Sequence, residues 1–438
     1  MYKSLILLKY SLWYTFNNEV TDMLNIGEKI KQYRKERKMT LAEVAGDRLT
    51  KGMLSLIENG KAQPSMESLQ HIAKQLGIDV SELMQSKTQE EIKSLYVQVE
   101  KQNAELNKEY NIEKHDQKAL ELYNMIEPYF QNGQLKGESY EEVRIYEVYL
   151  TLRFLLKKDL SEKPFLPLIS MYEKVHAYSK IVRIYNKMGS IKFLNHEYEE
   201  AMNYLYEGEH YINLYGDLID KLEKLDVYYN LTVISAALND DRTTEHYLEV
   251  ALKIAKEEKI LYRLNDFYRF LFYIHVLNEE GDKAHYYLKK IHAFAEIMEE
   301  PTEYLMEQLL TLVYMNQIEK NYEKVITQKF DKVALPNDVN SEFRSFLNGE
   351  YAYAYLMLER YDEALELLHD IVILDLQKHP IDLIHLYRTF AIRALCYLEK
   401  GEIENAKRDI LYAIDGVKDF SDNIDKQFIK EAYDRIIG

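Results

Sequence analysis

The sequence predicts an all-α protein: a small N-terminal helical bundle, a linker helix and a long array of helical hairpins. Three observations predict it. Breakers are scarce, with 15 Gly and 7 Pro in 438 residues, which favours helices joined by short turns. Apolar residues recur at helical spacing from Ile26 onward. In the second half of the chain a pattern of aromatic and small residues keeps returning, and its anchors Ala364 and Ala406 stand 42 residues apart. A fixed period of that size marks a stack of repeated supersecondary units.

Bulk properties narrow the class. Hydrophobic residues make up 47% and charged residues 29%, enough to bury a core and too apolar for disorder. The single cysteine, Cys396, excludes an intramolecular disulfide and a cysteine-based zinc site. It also points to a reducing, cytoplasmic setting. The net charge of −17 is unevenly spread. Residues 23–87 hold 11 Lys/Arg and 8 Asp/Glu, a net +3, while 88–438 carry −20. A mildly basic head on an acidic body is compatible with local phosphate contact. Residues 1–22 are apolar and aromatic, but Lys9 interrupts a run already too short to span a bilayer. They read as an over-long gene start with Met23 as initiator, or as an arm packing on the body; no membrane association is expected.

The head, residues 23–84, is built from short helices. Ile26, Ile30 and Tyr33 follow i, i+4, i+7 spacing. Thr40 to Glu43 forms a capping box, and Leu41, Val44 and Ala45 supply the apolar face of a second helix. After the turn at 46–49, Thr50 is an N-cap for a third helix ending near Asn59 and Gly60. Ser65 starts a fourth, with Leu69, Ile72, Ala73 and Leu76 inward, and Gly77 stops it. Ser81, Glu82, Leu83 and Met84 close the unit.

The string "IGEKIKQYRKERKMTLAEVA…LTKGMLSLIENGKAQPSMESLQHIAKQLGIDVSELM" resembles the Xre/Cro-type helix-turn-helix family. The resemblance implies a five-helix bundle whose third helix enters the major groove of double-stranded DNA. It implies that Arg34 pairs with Glu58 as scaffold. Thr50, Asn59 and Lys61 fall at phosphate-contacting positions. Lys51, Gly52 and Leu56 fall where base edges are read, with Met53 and Ser55 beside them. Two departures stand out: the turn between helices two and three is one residue short, and the reading positions include Gly52 and Leu56 rather than amides and arginines. Apolar groups touch a thymine methyl but make no bidentate bond to guanine. A domain that only dimerises or docks is the other reading.

Residues 85–110 are polar with a thin apolar stripe at Ile92, Leu95, Val99 and Leu106, and read as an exposed linker helix, or as a seam for a dimer contact. Residues 111–438 carry the repeats. Tyr185, Met188, Gly189, Tyr198, Ala201 and Leu205 fit the tetratricopeptide pattern. Tyr228, Leu231 and Ala251 repeat it, as do the surroundings of Ala284, Tyr322 and Val325, Tyr361 and Ala364, and Gly401, Ala406 and Ala413. Ala119 marks a degenerate first repeat. The expectation is a tetratricopeptide-like right-handed α-solenoid of about seven or eight hairpins with a concave face. Asn186 and Asn230 sit mid-helix, where Asn is unfavourable, and side-chain amides suit a peptide backbone. Arg183, Arg269, Arg344 and Arg388 suit acidic groups or a terminal carboxylate; Tyr273, Tyr314 and Tyr353 offer flat anchoring area. Each has a plainer alternative: packing for a tyrosine, an inter-helix ion pair for an arginine.

No P-loop, GxGxxG or GxSxG element occurs, and His196-Glu197 lacks the second histidine of a zinc motif. The chain reads as a non-enzyme without cofactor. Together the two halves resemble the RRNPP-type quorum-sensing regulators of Gram-positive bacteria, in particular the NprR- and PlcR-like branches. That resemblance implies a homodimer or higher oligomer, and a short signalling peptide in the groove that gates DNA binding. The rivals are a repeat scaffold for a protein partner, such as a sporulation or two-component protein, and a phage or plasmid regulator of the same build.

Overall fold

The structure, a computed structural model, describes residues 26–59, 61–62, 64–80, 83, 89–109, 112–131, 133, 135–328, 341–373 and 378–438. Residues 1–22, Gly60 and most of 81–84 lie outside them. All regular structure among the described residues is helical. The chain divides into two compact units, one ending at Ile184 and the other running over Tyr185–Gly438.

The first unit begins with α1 (Ile26–Glu36), α2 (Leu41–Ala45), α3 (Lys51–Glu58) and α4 (Met66–Leu76). Their starts are set by local chemistry. Thr40 accepts from the Glu43 backbone while the Glu43 carboxylate accepts from the Thr40 backbone, so two otherwise unpaired donors are satisfied. Thr50 and Ser65 cap α3 and α4 in the same sense. Gly77 ends α4 in a left-handed conformation. Ile30, Val44, Ala45, Leu54, Ile57, Leu69, Ile72, Ala73, Leu76 and Leu83 form one core, as the periodicity requires. The short turn closes on Gly46, at φ +58° and ψ −140°, where a Cβ would sit 2.8 Å from His71 Nε2.

The expected linker is not an exposed rod. Helix α5 (Gln89–Leu106) packs on α6 (Ile112–Gln131) and α7 (Tyr140–Leu155). Its stripe of Ile92, Leu95, Val99 and Leu106 is buried. The polar remainder of α5 faces solvent, and the narrow stripe suffices because neighbours cover it. A short helix α8 (Leu166–Lys174) follows α7.

Helix α9 (Tyr178–Leu194) crosses the division between the units. In the second unit α10 (Tyr198–Tyr215) is followed by packed pairs of successive helices: α11 (Lys221–Ala237) with α12 (Asp241–Glu257), α13 (Leu264–Leu277) with α14 (Gly281–Met298), α17 (Ser341–Met357) with α18 (Tyr361–Leu367), and α19 (Pro380–Glu399) with α20 (Ile403–Gly416); between them α15 (Pro301–Tyr314) and the short α16 (Tyr322–Thr327) both pack on α17, and α21 (Ile424–Ile437) packs on the last pair. The fourth residue of each second helix is Ala201, Thr244, Ala284, Val325, Ala364 or Ala406, at spacings of 39–43 residues. All are buried, so a small side chain lets the pair close. In α12 the equivalent residue is therefore Thr244, not Ala251. Thr244 satisfies its hydroxyl on Ser235 at 2.8 Å and on the Asp240 carbonyl, which is how a polar residue occupies an alanine position. At Gly189 a Cβ would meet the Ala201 carbonyl at 3.1 Å, so α9 and α10 touch at their small residues.

Candidate functional site

Helix α3 has two unlike faces. Leu54, Ile57 and Glu58 point inward. Lys51, Gly52, Met53 and Leu56 are exposed, and Ser55 is half-buried beside them. Met53 and Leu56 keep 45% and 44% of their surface in solvent. The helix is anchored from behind: Arg34 Nε and Nη2 donate to the two Glu58 oxygens at 2.6 and 2.7 Å, and Nη1 to the Met39 carbonyl at 3.1 Å. Arg34 and Glu58 are thus a bidentate brace. At the front, the Met53 N–H donates to Thr50 Oγ1 at 3.1 Å. At the far end Asn59 Nδ2 donates to the Ser55 carbonyl at 2.7 Å, and Lys31 Nζ donates to Asn59 Oδ1 at 3.1 Å. The Lys61 N–H reaches back to the Leu56 carbonyl, leaving its side chain exposed. All eight residues expected at a DNA surface lie on α3 or immediately flank it.

The second unit carries a polar ladder, in which each first helix is joined to the next by a side-chain contact. Asn230 Nδ2 on α11 donates to Asn186 Oδ1 on α9 at 2.7 Å. Arg263, just before α13, donates to Asp226 on α11 at 2.8 Å. Arg269 and Asn265 on α13 both donate to Glu303 on α15. Asn316, following α15, donates to Glu350 on α17 at 2.7 Å. Arg388 on α19 donates to Glu350 at 2.8 Å and lies 3.3 Å from Asp425 on α21. His385 sits between the same two carboxylates, 3.1 Å from Glu350 and 3.2 Å from Asp425.

The electrostatics follow from burial and pairing. Burial works against the charge on Glu350, yet Arg388, His385 and Asn316 outweigh it and hold the carboxyl down at about 2. Burial also opposes a charged His385, but its bonds to Asp425 and Glu350 prevail and raise it to about 9. The Tyr273 hydroxyl is pushed well above its ordinary value by burial and then by the Asp382, Glu350 and Asp425 carboxylates. Burial pushes the Cys396 thiol up to about 12, leaving it protonated at neutral pH. Among the described residues no group of three or more His, Cys, Asp or Glu side chains is placed to hold a metal ion, and no helix is long and apolar enough to cross a membrane.

Residues 30–83 match the helix-turn-helix family. This head is a helix-turn-helix domain. Among solved structures, PlcR of Bacillus thuringiensis in complex with the peptide PapR7 and DNA is 18% identical, covering 70% of this chain and 99% of its own, with a TM-score of 0.31. The apo competence regulator ComR from Streptococcus vestibularis is 12% identical, covering 94% of this chain and 98% of its own, at 0.21. A point mutant of PrgX is 12% identical, covering 86% and 96%, at 0.15. No curated protein matches the chain.

The residues expected to face a peptide divide into two groups. Arg269 and Arg388 are 3% and 2% exposed and are inter-helix ion pairs. Asn186 and Asn230 bond each other, yet both stay half-buried, as do Tyr273, Tyr314 and Tyr353. Tyr353 carries Arg388 over its ring at 4.2 Å, and the Tyr314 ring lies tilted against His285 with centroids 5.5 Å apart. Arg183 is half-buried and falls in the first unit. Sequence reasoning missed Glu303, Asn316, Glu350, His385 and Asp425. Part of their signal was present: Glu350 opens the run 351–358 of aromatic and aliphatic residues, and His385 lies with Asp382 and Arg388 in a largely apolar stretch, where a charge needs a buried partner.

Proposed function

We propose that this protein is a cytoplasmic, sequence-specific DNA-binding transcription regulator whose repeat region binds a short signalling peptide that gates DNA binding. The observation that carries it is the outward face of α3: a braced, capped helix on a helix-turn-helix domain, with Lys51, Gly52, Met53 and Leu56 turned to solvent and Lys61 exposed beyond its end. Such a helix fits the major groove with its N-terminal residues at base edges and flanking groups at phosphates. The acidic body is consistent with contact confined to the head.

The peptide side of the reading is supported by the Asn186–Asn230 pair and by half-exposed tyrosines on successive first helices. The regulator acts as a homodimer, since two heads must meet half-sites about one DNA turn apart. A ligand that shifts their spacing changes affinity by its preference for one state, typically about 1–3 kcal/mol.

Capture of genomic fragments by purified protein, with a Lys51→Glu/Lys61→Glu variant beside it, tests the DNA reading. Discrete, partly palindromic fragments lost in the variant are expected; equal recovery by both proteins refutes it. Asn186→Ala and Asn230→Ala each weaken binding of the cognate peptide, and unchanged affinity in both removes the groove from the assignment.

A further inference from the structure

The reading face of α3 is apolar, and that fixes what kind of base edge it recognises. Its outward residues are Lys51, Gly52, Met53, Ser55 and Leu56, and Lys51 alone is charged. Three of the polar side chains around it are engaged within the domain: Thr50 Oγ1 by the Met53 N–H, Asn59 by Ser55 and Lys31, and Arg34 by Glu58. Met53 and Leu56 lie three apart on one face, and nearly half of each is exposed. Large apolar groups left bare on a small domain mark a surface that is covered in use.

Gly52 supplies an independent observation. It lies in the first turn of α3, and a Cβ there would meet nothing nearer than Thr50 Oγ1 at 3.9 Å. The fold has room for alanine, and alanine is the better helix former by about 0.8–1 kcal/mol. The same domain does need its other tight glycine, since a Cβ at Gly27 would lie 1.7 Å from the Ile57 carbonyl oxygen. At Gly52 nothing inside the domain requires the missing Cβ. The missing Cβ leaves the exposed backbone of α3 open to close approach from outside.

Resting on the DNA-binding reading above, we propose that α3 recognises its site chiefly through thymine methyl groups: Leu56 and Met53 pack on the C5-methyls of T·A pairs in the major groove, and Gly52 lets the helix seat deeply enough for that contact. The C5-methyl is the one apolar group a base pair presents there, and it distinguishes T·A from the other pairs. Ser55 and Lys51 add hydrogen bonds at the margin, and the discrimination itself is apolar.

The test uses full-length protein and a genomic fragment recovered as above, so failure to recover any fragment counts against DNA binding itself and is told apart from failure here. Thymines within each half-site are replaced singly by uracil, which removes the methyl and leaves pairing unchanged. At contacted positions affinity falls roughly fourfold per methyl, the equivalent of one buried methylene. Replacing such a T·A pair by 5-methylcytosine·G restores a C5-methyl and recovers part of the affinity over C·G. Leu56→Ala and Met53→Ala each abolish the uracil penalty at their own position. Gly52→Ala raises the melting temperature of the domain and weakens operator binding at least tenfold. Uracil operators bound as tightly as thymine operators overturn the proposal. So does a uracil penalty that survives in both Leu56→Ala and Met53→Ala, because the methyl then acts through DNA shape. Undiminished binding by Gly52→Ala overturns the role of that glycine.

Discussion

The strongest single constraint on the reading helix lies behind it, at Arg34 and Glu58. Glu58 is almost wholly enclosed and Arg34 nearly so, and removing one partner leaves a buried charge uncompensated. Arg34→Ala is expected to destabilise the head by about 3–5 kcal/mol, read as loss of its thermal transition in the full-length protein. The double variant Arg34→Met/Glu58→Leu, which removes both charges, recovers most of that loss. An Arg34→Ala change of less than 1 kcal/mol would show the brace to be ornamental. This pair was legible in the sequence because the motif fixes both positions. The ladder partners were not. Glu303 meets Arg269 across 34 residues and Glu350 meets Arg388 across 38. Which residues face one another over that separation depends on the rotation of helices that are apolar on nearly every side, so no single stripe discloses it.

At the scale of elements, α5 shows where polarity misleads. Only four apolar positions mark its inner face, and its charged remainder resembles a free-standing helix. The neighbours that cover the stripe come from α6 and α7, and nothing local in 89–106 announces them. The distinction is measurable. Leu95→Ala costs about 2–5 kcal/mol if the residue is core, and less than about 0.5 kcal/mol if the helix is a solvated connector. Urea unfolding of the two proteins separates these values by a clear shift in midpoint, with the larger expected. The slip in α12 has a related cause. Ala251 is as fully buried as the other small anchors, but it sits two turns along the helix. Thr244 escaped notice because its hydroxyl, paired with Ser235, makes a polar residue behave as a small one. Thr244→Val keeps the shape but leaves the Ser235 hydroxyl less well satisfied, so a loss of about 1–3 kcal/mol is expected.

For the second unit as a whole, two buried histidines set opposite limits on the pH range of stability. His379 precedes α19, and with Lys378 it ties that start to segments far back in the chain. Tyr198 donates to the Lys378 carbonyl at 2.6 Å, across 180 residues, and His379 donates from Nε2 to the Val233 carbonyl at 3.0 Å, across 146. His379 Nδ1 accepts from the Ile381 N–H at 3.2 Å, so the ring is neutral, with its proton on Nε2. Burial lowers His379 to about 4 from the ordinary 6.5. As pH falls from 6.5 toward 4 the unfolded chain takes up a proton that the folded one refuses, so stability drops. His385 does the reverse. With its value raised to about 9 by Glu350 and Asp425, its contribution is complete below 6.5 and is lost as pH rises through 9. Each shift corresponds to roughly 3 kcal/mol at its limit. The two contributions overlap best near pH 6.5, and the melting temperature of this unit should peak there and fall on both sides. Asparagine can donate to Val233 and cap Ile381 without titrating, so His379→Asn flattens the acid side between pH 6.5 and 5. His385→Gln lowers stability throughout and flattens the alkaline side instead. A melting profile level from pH 5 to 9, or variants that leave both limbs unchanged, would show that these histidines do not couple protons to the packing of the repeats.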